Sequence, residues 1–267
     1  MQIPKPIITR EHGSWAVLIV PMIVALFFTG TVQWNNVCLA LSTLSVFMSY
    51  VPAHIIFRGR SAADQSNEKL RASYLWGSVY LCVGFIFIVP LFLQRYIHLI
   101  SLTVLGSALF LVNYALTVKG KKNILSDLAA VAGLTLSAPS MYYISTGSID
   151  ENAFILWLLN FLFFGSSVFY VHMKIKATSL KKEHLSLRER LTLGRLNMLY
   201  HIAAVGIIVT MTIIQYTSQM VALAFTPMFI HVLYGTVKLS SKVRFKRLGF
   251  LLLAHSAVFC LLLVRAW

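Results

Sequence analysis

"SWAVLIVPMIVALFFTGTVQWNNVCLALSTLSVFMSYVPAHIIFRGR", residues 14–60, decides the fold. No charged residue interrupts it before Arg58. As one helix rising 1.5 Å per residue it would be about twice as long as the ~30 Å hydrocarbon layer of a bilayer is thick. It must therefore be a hairpin of two spans, 14–34 and 36–57, turning near Asn35. The same pattern repeats along the chain and predicts further spans at 73–93, 97–116, 124–145, 153–175, 198–216, 220–239 and 249–267. The expected fold is an all-α polytopic transmembrane bundle of nine spans, one integral membrane domain over residues 1–267.

Composition agrees. Hydrophobic residues make up 58% and charged residues 12%, and mean hydropathy is +0.77, far from a soluble domain, where about a quarter of residues are charged. The formal net charge of +15 would point to nucleic acid in a soluble protein. Here its distribution gives another meaning. Of the 23 Lys and Arg, 21 fall on one side of the nine-span arrangement, leaving Arg95 and Arg265 on the other. Basic residues gather in short cytoplasmic loops, so the N-terminus is expected in the cytoplasm, the C-terminus outside, and no nucleic-acid partner. No small-residue cleavage site follows the first apolar run, so no cleaved signal is expected. Cys38, Cys82 and Cys260 lie in apolar segments without CxxC spacing and read as small core residues.

The longer loops lie on the basic side, which directs the search for function there. One of them, "KIKATSLKKEHLSLRERLTLGRLN" (174–197), spaces leucines among charges and predicts an amphipathic helix along the membrane surface. "HIIFRGR" (54–60) and "HMKIK" (172–176) each set a histidine inside the membrane edge with basic residues just beyond. Two readings are open: Arg58, Arg60, Lys174 and Lys176 wall a site for an anionic headgroup, or they snorkel as orientation anchors. Arg10, Glu11 and His12 precede the first span, either capping that site or marking a helix start.

His54, His172 and Asp127 are the candidates for proton handling, since histidine titrates near neutral pH and intramembrane carboxylates are costly. Asp127 lies about one turn into its span, where the helix dipole alone would favour it. Asn113 and Asn160 read as hydrogen-bonding links between helices. The eight histidines show no metal spacing, so no cofactor is expected, haem included.

"REHGSWAVLIVP" (10–21) and "NFLFFGSSVFYVHMKIK" (160–176) resemble the YwiC-like family of bacterial membrane proteins over most of the chain. That family carries no activity to transfer. More distantly, the nine-helix pattern and "YALTVKGKKNILSDLAAVAGLTLSAPSMYYISTG" (114–147) resemble the UbiA superfamily of intramembrane prenyltransferases. That resemblance implies a UbiA-like architecture and two aspartate-rich motifs holding magnesium and a prenyl diphosphate. The sequence departs at both motifs: "SYVPAHIIFRGRSAADQSNEK" (49–69) keeps only Asp64 and Glu68, and "VFYVHMKIKATSLKKEH" (168–184) only Glu183. A magnesium-dependent reaction is therefore not expected. The expectation is a membrane protein that binds membrane lipid, an anionic isoprenoid or a quinone-like amphiphile, in a cavity facing the cytoplasm. A UbiA-related prenyltransferase with altered motifs and a small-molecule transporter are the alternatives.

Overall fold

The structure, a computed structural model, describes residues 4–9, 12–59, 67–118, 123–182 and 184–266. Among them there is no strand. The helices are α1 (His12–Thr29), α2 (Trp34–Gly59), α3 (Asn67–Leu93), α4 (His98–Val118), α5 (Ile124–Thr135), α6 (Ser137–Thr146), α7 (Glu151–Ser179), α8 (Leu187–Ile213), α9 (Gln219–Val237) and α10 (Phe245–Val264). Among the described residues eight elements are long and apolar enough to cross a membrane, with α5 and α6 together forming one of them. The 18-residue α1 is a shorter apolar helix that rises about 27 Å, nearly the hydrocarbon thickness.

The fifth span departs from the expected single helix. Pro139 has no N–H to give, and its ring crowds the carbonyl four residues earlier, at Thr135. The chain therefore turns at Leu136 and restarts. Side chains take up carbonyls beside the break: Ala132 O accepts from Trp157 Nε1 at 3.1 Å, and Val131 O from Thr135 Oγ at 2.8 Å. Non-helical backbone is tolerated at membrane depth only where protein or a cavity surrounds it, and this span is the most deeply buried.

The expected surface helix over 174–197 does not form. Instead α7 continues to Ser179 and α8 begins at Leu187. A capping box sets that start, with Ser186 Oγ accepting from Glu189 N and the Glu189 carboxylate accepting from Ser186 N. Charged residues thus extend two membrane helices beyond the apolar zone rather than making a third.

Packing divides the bundle. α1, α5, α6 and α7 form its centre. On one side α8, α9 and α10 close against α7 and α1, with Phe163 stacked on Phe259 at 3.9 Å between ring centroids and Phe225 edge-on to both. On the other side α3 packs on α2 and α4 on α5, and a lumen lies between these pairs.

Candidate functional site

The lumen has a volume of about 2490 Å³, larger than the ~300–1,000 Å³ of ordinary small-molecule sites. Apolar side chains of α2, α3 and α4 provide much of its wall, among them Val46, Phe85, Ile88, Leu99 and Phe110. Leu81, Phe85 and Phe92 of α3 line it and are exposed. The space is therefore open rather than sealed.

Polar groups enter the wall from helix ends at the basic side of the bundle. Asn123 caps α5 by accepting from Ser126 N at 2.7 Å, which puts Asp127 in the first turn. His172 comes from the last two turns of α7. The two meet: His172 Nε2 lies 2.8 Å from Asp127 Oδ2, with side-chain exposures of 14% and 36%. Beside an ionised carboxylate the hydrogen resides on Nε2, which donates to Oδ2. Asn113 ties α4 to this corner by donating from Nδ2 to Ser126 O at 2.7 Å. Lys5, Glu68 and Lys69 also line the lumen.

Two of the three proton-handling candidates are thus joined across 45 residues of sequence. His54 is not. It stands beside Tyr50, ring centroids 6.2 Å apart, outside the lumen lining although Ala53 and Ile55 belong to it.

Lys174 stands apart from this corner. Two residues along a helix turn the direction by about 200°, so His172 and Lys174 face opposite ways. Lys174 Nζ donates to Gly235 O on α9 at 3.1 Å and sits 5.1 Å from the Tyr170 ring centroid. Lys176, one turn beyond His172, is exposed and borders a narrow crevice with Met173, Leu193 and Asn197. Arg10, Glu11 and Arg60 lie outside the described residues, as do the side chains of His12 and Arg58.

Other polar groups are absorbed by packing. His201 Nδ1 donates to Asn197 O at 2.7 Å, so its Nε2 accepts from Ser166 Oγ at 2.6 Å. Asn197 Nδ2 donates to Thr236 Oγ at 3.1 Å. Asn160 donates within its own helix, to Leu156 O at 2.8 Å, rather than linking helices. Among the described residues no three His, Cys, Asp or Glu gather as a metal-holding group.

The N-terminal arm escaped sequence reading. Residues 4–9 line the lumen, held by side chains that donate to their carbonyls: Trp76 Nε1 to Pro4 O at 2.9 Å, Tyr80 Oη to Ile7 O at 3.2 Å and Trp15 Nε1 to Thr9 O at 3.2 Å. Backbone acceptors carry no residue-specific signal, so only the structure reveals this strap.

Fold and site together define a multi-pass membrane protein built around an open lumen with an acid–histidine pair on its wall. The profile of the YwiC-like protein family matches residues 8–142, just over half of the chain and including Asp127, and the chain belongs to that family. It is 24% identical over 173 residues to "Uncharacterized protein YwiC" of Bacillus subtilis (strain 168), covering 64% of this chain and 68% of that protein. No solved structure matches the chain.

Proposed function

We propose that the protein binds an isoprenoid or quinone-like amphiphile from the bacterial cytoplasmic membrane, its tail in the lumen and its headgroup beside Asp127 and His172 at the cytoplasmic end. The observation that carries this is the Asp127–His172 pair on the wall of an otherwise largely apolar, open space. An apolar pocket with few convergent polar groups suits a molecule with a long tail and one recognised end. The basic loops at that end support a cytoplasmic orientation.

Mass spectrometry of molecules that co-purify in mild detergent tests the reading. One enriched amphiphile, depleted in Asp127→Asn, is the expected result. Bulk phospholipid alone in both samples would remove it.

Transport is the second reading, favoured by the broken α5–α6 span beside the lumen, because interrupted membrane helices mark substrate sites in transporters. It predicts flux of the same amphiphile between leaflets of reconstituted vesicles, lost in Asp127→Asn.

A further inference from the structure

We infer that the α7–α8 and α9–α10 junctions form one basic platform that binds the phosphate headgroups of anionic phospholipids in the surrounding leaflet. The inference does not depend on what the lumen holds.

Distribution gives the first argument. Segments 174–195 and 238–247 hold twelve Lys and Arg against two acidic residues, Glu183 and Glu189. Residues 1–127, leaving Arg95 aside, hold nine against four. Orientation requires only that basic residues lie on one side of the membrane. It gives no reason for them to gather beneath α8, α9 and α10.

Geometry gives the second. α7 ends, α8 begins, α9 ends and α10 begins at one end of the bundle, and hydrogen bonds tie the two junctions together there. Arg190 donates through Nε to Leu185 O and through Nη1 to Val237 O, both at 2.9 Å. Ser241 Oγ donates to Lys182 O across the same seam. Leu185 and Leu239, one from each junction, are buried in the core. The backbone is thus held while the charged ends stay out: Lys181, Lys182 and Arg188 at one junction and Arg244, Lys246 and Arg247 at the other are exposed. The Glu189 carboxylate is already engaged by Lys182 and Ser186, so it does little to offset the rest.

The surroundings give the third and select a lipid over an acidic protein. Arg188 lies in the first turn of α8, and Lys246 and Arg247 in that of α10. Large apolar side chains are exposed among them, Leu187 at 61% and Phe245 at 45%. Basic residues at the last turn of a membrane helix, with apolar neighbours beside them, sit at headgroup depth, where they attract anionic lipid. A soluble acidic partner would need charges standing clear of that layer.

The test reconstitutes the full-length protein in vesicles of equal parts phosphatidylglycerol and phosphatidylcholine. Spin-labelled forms of each lipid report, by electron paramagnetic resonance, the fraction held at the protein surface. The wild type should hold phosphatidylglycerol at least ~2-fold more strongly, and about 1 M NaCl, where the screening length falls to about 3 Å, should abolish the preference. Arg244→Gln/Lys246→Gln/Arg247→Gln should lose most of it, whereas Arg244→Lys/Arg247→Lys should keep it. Lys119→Gln/Lys121→Gln/Lys122→Gln removes as many charges from the segment between α4 and α5 and should leave it nearly intact. Equal loss in the two glutamine triples would overturn the platform, because the charges would then act by number alone. A wild type without preference, or a preference indifferent to salt, would overturn the lipid and leave an acidic protein as the partner of this surface.

Discussion

On the lumen side of α7, His172 holds Asp127 at 2.8 Å beside open space. On the opposite side, two residues along, Lys174 donates to Gly235 O at 3.1 Å among packed side chains. Both are basic groups at the same helix end, yet one is presented and the other absorbed. The difference comes from their neighbours. The α7–α8–α9 side is packed so closely that a Cβ on Gly165 would stand 2.4 Å from Tyr200 Oη, and one on Gly194 2.5 Å from Thr236 Cγ2. On the other side α2 packs on α3 and α4 on α5, and the two pairs stand apart around the lumen. In the membrane interior, a polar residue type does not identify a site until the packing around it is known.

The comparison breaks most visibly at Gly235. A Cβ there would lie 2.0 Å from Tyr170 Oη, so Gly235→Ala should cost about 2–3 kcal/mol, as overpacking does, read as a lower thermal midpoint in detergent. Gly206→Ala, with nothing within 4 Å, should instead hold or raise the midpoint, by up to ~1 kcal/mol of helix propensity.

Ser166→Ala comes next. It strips the buried His201 Nε2 of its partner and should cost about 1–2 kcal/mol in the same melt. Amphiphile retention should not change. A loss of retention with an unaltered melt would place the Ser166–His201 pair in the site and erase the division drawn between the two sides.

His172→Gln should act the other way round. Retention of the co-purified amphiphile should fall roughly 10-fold, the scale of a charge-assisted hydrogen bond, while the melt moves little because the pair is partly exposed.

Lys174→Gln should have the smallest effect. It removes a cation from the Tyr170 ring face, worth about 0.5–1 kcal/mol, and leaves retention at the wild-type level. If retention instead fell as it does in His172→Gln, the two faces of α7 would belong to one site after all.

The apolar helices could be read from the sequence because hydropathy and the distribution of Lys and Arg are separate signals that select the same segmentation, and eight of the expected spans are long and apolar enough to cross a membrane. Residues 14–57, too long for one crossing, gave the first hairpin. The break at Leu136 was harder to see. Pro139 stands in plain view, but Pro21, Pro52, Pro90 and Pro227 sit inside helices that continue through them. Whether a proline interrupts a helix depends on what surrounds the freed carbonyls, here Trp157 and Thr135. His172 and Asp127 were each visible as candidates, whereas their partnership depends on how α5 docks on α7. Lys174 was open to better reading: helical geometry alone separates it from His172 by about half a turn. The N-terminal arm gave no local signal, since it is a strap held through backbone carbonyls.

In the proposed function the lumen between α2–α3 and α4–α5, rather than the lipid-facing surface at large, holds the amphiphile. Photo-crosslinking in native membranes tests it most directly, using dodecylhydroquinone with a diazirine in its tail and mapping the adducts by peptide mass spectrometry. The expected adducts fall on lumen residues such as Val46, Phe85 and Phe110 and are competed away by unlabelled probe. Adducts spread evenly over exposed residues of α8 and α9 such as Ile202, Leu223 and Ile230, and not competed, would contradict it.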